Sequence, residues 1–144
     1  MRRKRTFMTD KPLAEDTETS DDSFLNGQIQ IRQLRSGYRI GTDAVMLAAT
    51  IQMKAGRLLD MGAGVGGISL AIAHRLADTQ ITAAEIDPVS HALLTHNIAL
   101  NEQHACIRPL RANILSLPPV MAGSFDHVVS NPPFHHASDS PSRS

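Results

Sequence analysis

Asp60-Met61-Gly62-Ala63-Gly64-Val65-Gly66-Gly67 decides the fold. Ahead of it, Arg57-Leu58-Leu59-Asp60 is a short apolar run of strand character. Behind it, Ile68 to Leu76 carries Ile68, Leu70, Ala71, Ile72 and Leu76 at helical spacing. A strand, a glycine turn and a helix in that order form the first part of a βαβ unit. Gly62-x-Gly64-x-x-Gly67 meets the pattern of a nucleotide cradle, where the backbone turns tightly and approaches the ligand with no Cβ in the way. Glu85 follows about 20 residues on, at the end of the next strand, where a carboxylate accepts from ribose hydroxyls.

Asp60 narrows the choice of ligand. A carboxylate this close to the first glycine repels a pyrophosphate but suits a ligand with an ammonium group. S-adenosylmethionine has such a group and no phosphate, so it is preferred to a nicotinamide dinucleotide, for which Glu85 alone would serve equally well.

Outward from the turn, the chain alternates strands and helices. Gln28 to Arg32 has period-two alternation, a short strand. Thr42 or Asp43 caps a helix running to about Met53, with Gly56 as its stop. Gln80 to Glu85 is rich in strand formers. Pro88 sits just inside a helix that continues to about Asn101. Ala105 to Leu110 is a strand placed at a sheet edge, because Pro109 has no ladder donor. Phe125 to Ser130 is the last strand. The pattern predicts a parallel, doubly wound α/β sheet. Residues 1–23 are polar, charged and aperiodic and read as a disordered tail; 24–136 form the domain; 137–144 are a low-complexity tail.

The last strand runs into Asn131-Pro132-Pro133-Phe134. An amine conjugated to a ring is a poor nucleophile because its lone pair is delocalised. The Asn131 side-chain oxygen and the Pro132 carbonyl each accept one N–H of such a group, which favours a pyramidal nitrogen. This is orientation and electrostatics, with no need of a strong base. The prolines fix the direction of the carbonyl, and Phe134 offers a face on which a base stacks. Asn113, after the third strand of the sheet, lies at the carboxyl edge where an amide pairs with an adenine, or serves as a turn residue.

Composition sets bounds on function. Lysine plus arginine (14) balances aspartate plus glutamate (14), so no global basic field marks a nucleic-acid binder. The Arg2 to Arg5 cluster is a local candidate for RNA phosphate contact, but reads better as part of a solvated tail. The single cysteine, Cys106, forms no internal disulfide and reads as a small apolar side chain in a reducing cytoplasm. No apolar window approaches the roughly 20 residues of a membrane span. His127, His135 and His136 lack metal-ligand spacing, so no metal is expected.

Asp60-x-Gly62-x-Gly64-x-Gly66, Glu85 and Asn131-Pro132-Pro133-Phe134 together resemble the class I amino-methyltransferases. Gln33, Gly37-Tyr38-Arg39 and Gly41-Thr42-Asp43-Ala44-Val45 through Ala48 resemble the bacterial family that methylates N6 of an adenine in the anticodon loop of tRNA(Val). The resemblance implies a Rossmann-like class I methyltransferase sheet, here only its first four core strands, preceded by a short strand-helix segment. It implies S-adenosylmethionine held by Asp60, Gly62, Gly64 and Glu85, with Tyr38 to Asp43 at its methionine end. Asn113 stands where the family usually has aspartate. Asn131, Pro132 and Phe134 would orient the amine, and tRNA would be the partner. The family's sheet has more strands, so the expectation is a truncated product with most of a cofactor site and weak or absent catalysis. Methylation of a release-factor glutamine amide or of a ribosomal RNA guanine, and a non-catalytic cofactor- or RNA-binding remnant, are the competing readings.

Overall fold

The structure is a computed structural model that describes residues 16–132. A hairpin of β1 (Thr19–Phe24) and β2 (Ile29–Leu34) leads into α1 (Thr42–Thr50). There follow β3 (Gly56–Met61), α2 (Gly67–Arg75), β4 (Thr79–Glu85), α3 (Pro88–Leu100), β5 (Ile107–Arg111), two short 3-10 turns and β6 (His127–Ser130). The hairpin is antiparallel. The other four strands form a parallel sheet in the order β5-β4-β3-β6. This is the α/β sheet that the sequence predicts.

Strand order positions the site. The chain steps from β3 outward to β4 and β5, then returns to the far side of β3 as β6. The direction of winding reverses there, and in open α/β sheets ligands bind at that crevice, beyond the carboxyl ends of the strands. Register completes the arrangement: Met61 lies opposite Ser130, whose Oγ donates to the Met61 carbonyl at 2.9 Å. The residues that follow, Gly62 and Asn131, therefore leave neighbouring strands side by side.

Leu58, Leu59 and Asp60 of β3 are all buried, as expected of a central parallel strand covered on both faces. The core joins Leu58, Ile81, Ile107 and Val129 of the sheet to Leu70, Ile72, Leu94 and Ile98 of the helices, with Ile29 and Ile31 of β2 and Ala44 and Ala48 of α1. Each large side chain so buried contributes about 1.5–3 kcal/mol. β5 is an edge strand, where Pro109 withholds no needed donor. Among the described residues β6 is the other edge, with Val128 exposed.

Two asparagines dock the hairpin. Asn97 of α3 and Asn101, its C-cap, stand one turn apart, about 6 Å along the axis, and Gln30 and Arg32 are separated by nearly the same distance along β2. Asn97 accepts from the Arg32 N–H at 2.7 Å and donates to the Arg32 carbonyl at 2.9 Å. Asn101 repeats this on Gln30, at 2.9 and 2.7 Å. The two amides thus act as a substitute strand along the edge of β2 that β1 leaves open. Asn97 also donates to the Val65 carbonyl at 2.9 Å, tying the hairpin to the glycine turn.

Several expectations need correction. Residues 19–23, assigned to a disordered tail, form most of β1, and the domain boundary expected at residue 24 falls at its end. The strand lacks apolar periodicity because it is held by its backbone ladder to β2 and its side chains meet charged partners, Asp21 with Arg32 opposite it and Asp22 with Arg39. The segment before α1 is therefore a hairpin rather than one strand. Neither Thr42 nor Asp43 caps α1; Gly41 is its N-cap and supplies no side-chain bond. The helix ends at Thr50, and Gly56 begins β3 instead of closing α1. Pro88 does open α3, behind an Asp87 cap that accepts from the Ser90 N–H at 2.8 Å.

Candidate active site

The glycine turn is pinned to the end of β4: the N–H groups of Gly62 and Ala63 both donate to the Ala84 carbonyl at 2.9 Å. Gly62 and Gly64 adopt φ of +72° and +57°, and a Cβ built on either meets no atom within 4 Å. The left-handed backbone favours glycine. The open space above it is room for a ligand to lie against the main chain. Glu85 accepts from the Gly64 N–H at 2.8 Å with one carboxylate oxygen and from the Asp87 N–H at 2.8 Å with the other. It locks the turns after β3 and β4 together and keeps further lone pairs for a ligand hydroxyl.

Over this turn lies a cavity of about 250 Å³. Gly62, Gly64 and Glu85 form one side of it, Tyr38 and Asn131 line it as well, and Ile40, Ala44 and Ile68 add apolar surface. Asp60 is fully buried beside the turn, outside the cavity lining. Its Oδ2 accepts from the Ser69 hydroxyl at 2.6 Å, and its Oδ1 is buried with no partner among the described residues. Burial pushes its pKa up to about 6, against the Ser69 hydrogen bonds that pull it down.

Asn131 is half-buried at the end of β6 and bonded across the sequence. Its Nδ2 donates to Asp43 Oδ2 at 2.8 Å and to the Tyr38 hydroxyl at 2.9 Å. Tyr38 in turn donates to Asp43 Oδ2 at 2.9 Å. The hydrogen bonds from Asn131 and Tyr38 hold the Asp43 carboxyl below its usual range. Burial, then the Asp43 carboxylate, raises the Tyr38 hydroxyl above its own.

The predicted residues fall into four groups. Gly62, Gly64, Glu85, Tyr38 and Asn131 come together around one cavity, with Asp60 beneath the turn and Asp43 joined to Tyr38 and Asn131. Asn113 is exposed and absent from the cavity lining; its Oδ1 accepts from the Leu115 N–H at 2.9 Å and caps a 3-10 turn. Pro132 is exposed beside Asn131. Pro133, Phe134, His135 and His136, with residues 1–15 and the tail from 137, lie outside the described residues. Among the described residues no three His, Cys, Asp or Glu side chains group to hold a metal ion, and no helix is long and apolar enough to cross a membrane. The reading of the sequence did not find Ser69 as the partner of Asp60, nor Asn97 as the support of Val65; neither leaves a sequence signal distinct from an ordinary polar helix residue.

A glycine turn with an acidic residue ahead of it, at the switch point of a parallel sheet, defines the class I methyltransferase fold. TYW2 from P. horikoshii in complex with MeSAdo superposes with a TM-score of 0.61 at 23% identity, over 74% of this chain and 40% of that one. TYW2 from M. jannaschii in complex with AdoMet gives 0.57 at 20% identity, over 71% and 47%. Residues 36–143 match the model of the methyltransferase small domain, and the chain belongs to that family. It is 32% identical over 130 residues to the tRNA1(Val) (adenine(37)-N6)-methyltransferase of Mannheimia succiniciproducens, covering 90% of this chain and 51% of that protein. The enzyme of the same name from Shewanella sp. is 36% identical over 115 residues, covering 78% and 48%. The chain spans about half the length of these curated relatives.

Proposed function

We propose that the cavity beside Gly62 holds S-adenosylmethionine and that the site methylates an exocyclic amino group, N6 of an adenine in tRNA, as in the relatives named above. One observation carries this reading: Asn131 lines the same cavity as Gly62, Gly64 and Glu85, although it comes from a strand far along the chain. The residues fit the cofactor. The open space at Gly62 and Gly64 admits a nucleoside against the backbone, Glu85 suits its ribose, and the carboxylate of Asp60 supplies negative charge behind the turn for an ammonium group.

The cofactor would supply an electrophilic methyl group on a sulfonium. The protein's part is to present the nucleophile. Asn131 Oδ1 and the Pro132 carbonyl accept the two N–H groups of the amine and turn its lone pair out of conjugation. Such preorganised acceptors act without a strong base, and orientation of this kind accounts for several kcal/mol of a barrier. Phe134 is assigned the stacking of the base on the strength of its sequence position. A tRNA substrate implies a cytoplasmic protein. The chain spans about half the length of these relatives, and the transfer proposed for it is correspondingly weak.

The test is methyl transfer from labelled S-adenosylmethionine to unmodified tRNA(Val) transcript, with release factor and ribosomal RNA as alternative acceptors. Label in the transcript, lost in Asn131→Ala, is the expected result. Label in release factor or ribosomal RNA instead would replace the substrate. Cofactor binding with no transfer to any acceptor would reduce the chain to a binding module.

A further inference from the structure

Asn131 has a donor end and an acceptor end, and only one of them serves the proposed chemistry. We propose that Asp43 and Tyr38 are positioning residues that clamp the amide nitrogen of Asn131, so that Oδ1 is the end presented to the substrate amine. The inference rests on the proposed amino-methyl transfer for its kinetic consequence, but not for the geometry.

The geometry is a closed ring of three side chains. Nδ2 has two N–H groups, and both are used: one on Asp43 Oδ2 at 2.8 Å, one on the Tyr38 oxygen at 2.9 Å. The Tyr38 O–H is also used, on the same Asp43 oxygen at 2.9 Å. A carboxylate only accepts, so the end of the amide that faces Asp43 must be nitrogen. Rotating the amide by half a turn would set Oδ1 against that carboxylate and lose both bonds from Nδ2. The remaining end, Oδ1, accepts from no described residue. A charge-assisted bond at Nδ2 also shifts electron density toward Oδ1 and strengthens it as an acceptor.

Asp43 is suited to this role. It stands in the first turn of α1, where the helix dipole favours a negative charge. Its carboxyl is held below the usual range by Asn131 and Tyr38, so it stays ionised at neutral pH. The ring joins the first turn of α1 to the residue that follows β6, 88 positions along the chain. In this arrangement the Asp43 carboxylate is committed to Asn131 rather than to the methionine end of a cofactor, the place the family resemblance would give it.

Tyr38 is the only tyrosine and the chain has no tryptophan, so phenolate absorbance reports the ring without any activity assay. Nδ2 donating to the phenol oxygen favours the phenolate. Asn131→Ala should therefore raise the Tyr38 midpoint, read in pH-jump mixing before the chain unfolds. If the opposite amide end faced Tyr38, the same substitution would lower it. Asp43→Asn should lower the midpoint by removing the negative charge beside the hydroxyl. In methyl transfer, Asp43→Asn should reduce kcat on the order of 10- to 100-fold and leave the dissociation constant for S-adenosylmethionine within about twofold. A lowered or unmoved midpoint in Asn131→Ala, or cofactor affinity falling in step with kcat in Asp43→Asn, would overturn the inference. If the wild-type chain binds cofactor but transfers no methyl group, the proposed activity falls while the tyrosine titration still decides the clamp.

Discussion

Asp60→Asn should remove a pH-dependent loss of stability while weakening the cofactor site. In the unfolded chain this carboxyl titrates near 3.8, and in the folded state burial lifts it to about 6. Between those values the folded state keeps a proton that the unfolded state has lost. Stability therefore falls as pH rises through the window, and the loss is complete above it, reaching roughly 3 kcal/mol. Asparagine does not titrate, keeps an acceptor for the Ser69 hydroxyl, and has nearly the same shape. It also places an N–H where Oδ1 now lies unpartnered, a cost that does not depend on pH. The decisive quantity is therefore the change with pH: from pH 4.5 to 7.5 the stability of Asp60→Asn relative to wild type should improve by about 2 kcal/mol. Urea unfolding followed by circular dichroism at both pH values measures it. Saturating S-adenosylmethionine should then narrow the gap at pH 7.5, because the ligand binds the aspartate chain more tightly. Parallel stability profiles for the two proteins would show that Asp60 is not a strained buried acid, and the charge argument for the cofactor would fail with it.

Gly64→Ala separates fold from ligand: its φ of +57° costs an alanine on the order of 1–2 kcal/mol, while the added methyl occupies the cradle. The melting temperature should fall by several degrees, and S-adenosylmethionine affinity by calorimetry should fall at least about tenfold, in keeping with loss of close backbone approach. Asn97→Ala leaves the N–H and carbonyl of Arg32 and the carbonyl of Val65 without their partners. It should cost about 2–4 kcal/mol, and hydrogen exchange should show lost protection at the Arg32 amide before any loss in β3 or β4. An additional control is Asn113→Ala, which removes a turn cap outside the cavity; cofactor affinity should be unchanged within error.

What was legible in the sequence was local. Period-two alternation found β2, whose Ile29, Ile31 and Gln33 all face inward. The glycine spacing found the turn after β3, because few sequences other than ligand-binding turns place glycines so. Pro88 found the start of α3. The misreadings came where a partner distant in sequence decides the conformation. β1 is polar, and what makes it a strand is its pairing with β2, where Asp21 meets Arg32, while Asp22 meets Arg39. Asp43 has the residue type of a helix cap, yet it lies inside the first turn of α1 and its carboxylate is taken by Tyr38 and by Asn131, 88 residues away. Asn97 looks like any polar helix position until β2 is laid against it. The site was legible as two separate motifs; that they line one cavity follows from strand order and register, which no local pattern encodes.

Amide resonances of the full chain, titrated with S-adenosylmethionine, test the shared cavity most directly. The backbone signals of Gly62, Gly64 and Glu85 and the side-chain amide of Asn131 should move together along one binding curve, with NADH leaving them in place. Signals at Gly62 and Gly64 that stay still, or that answer to NADH in preference, would contradict the placement of a sulfonium cofactor between the glycine turn and the amine clamp.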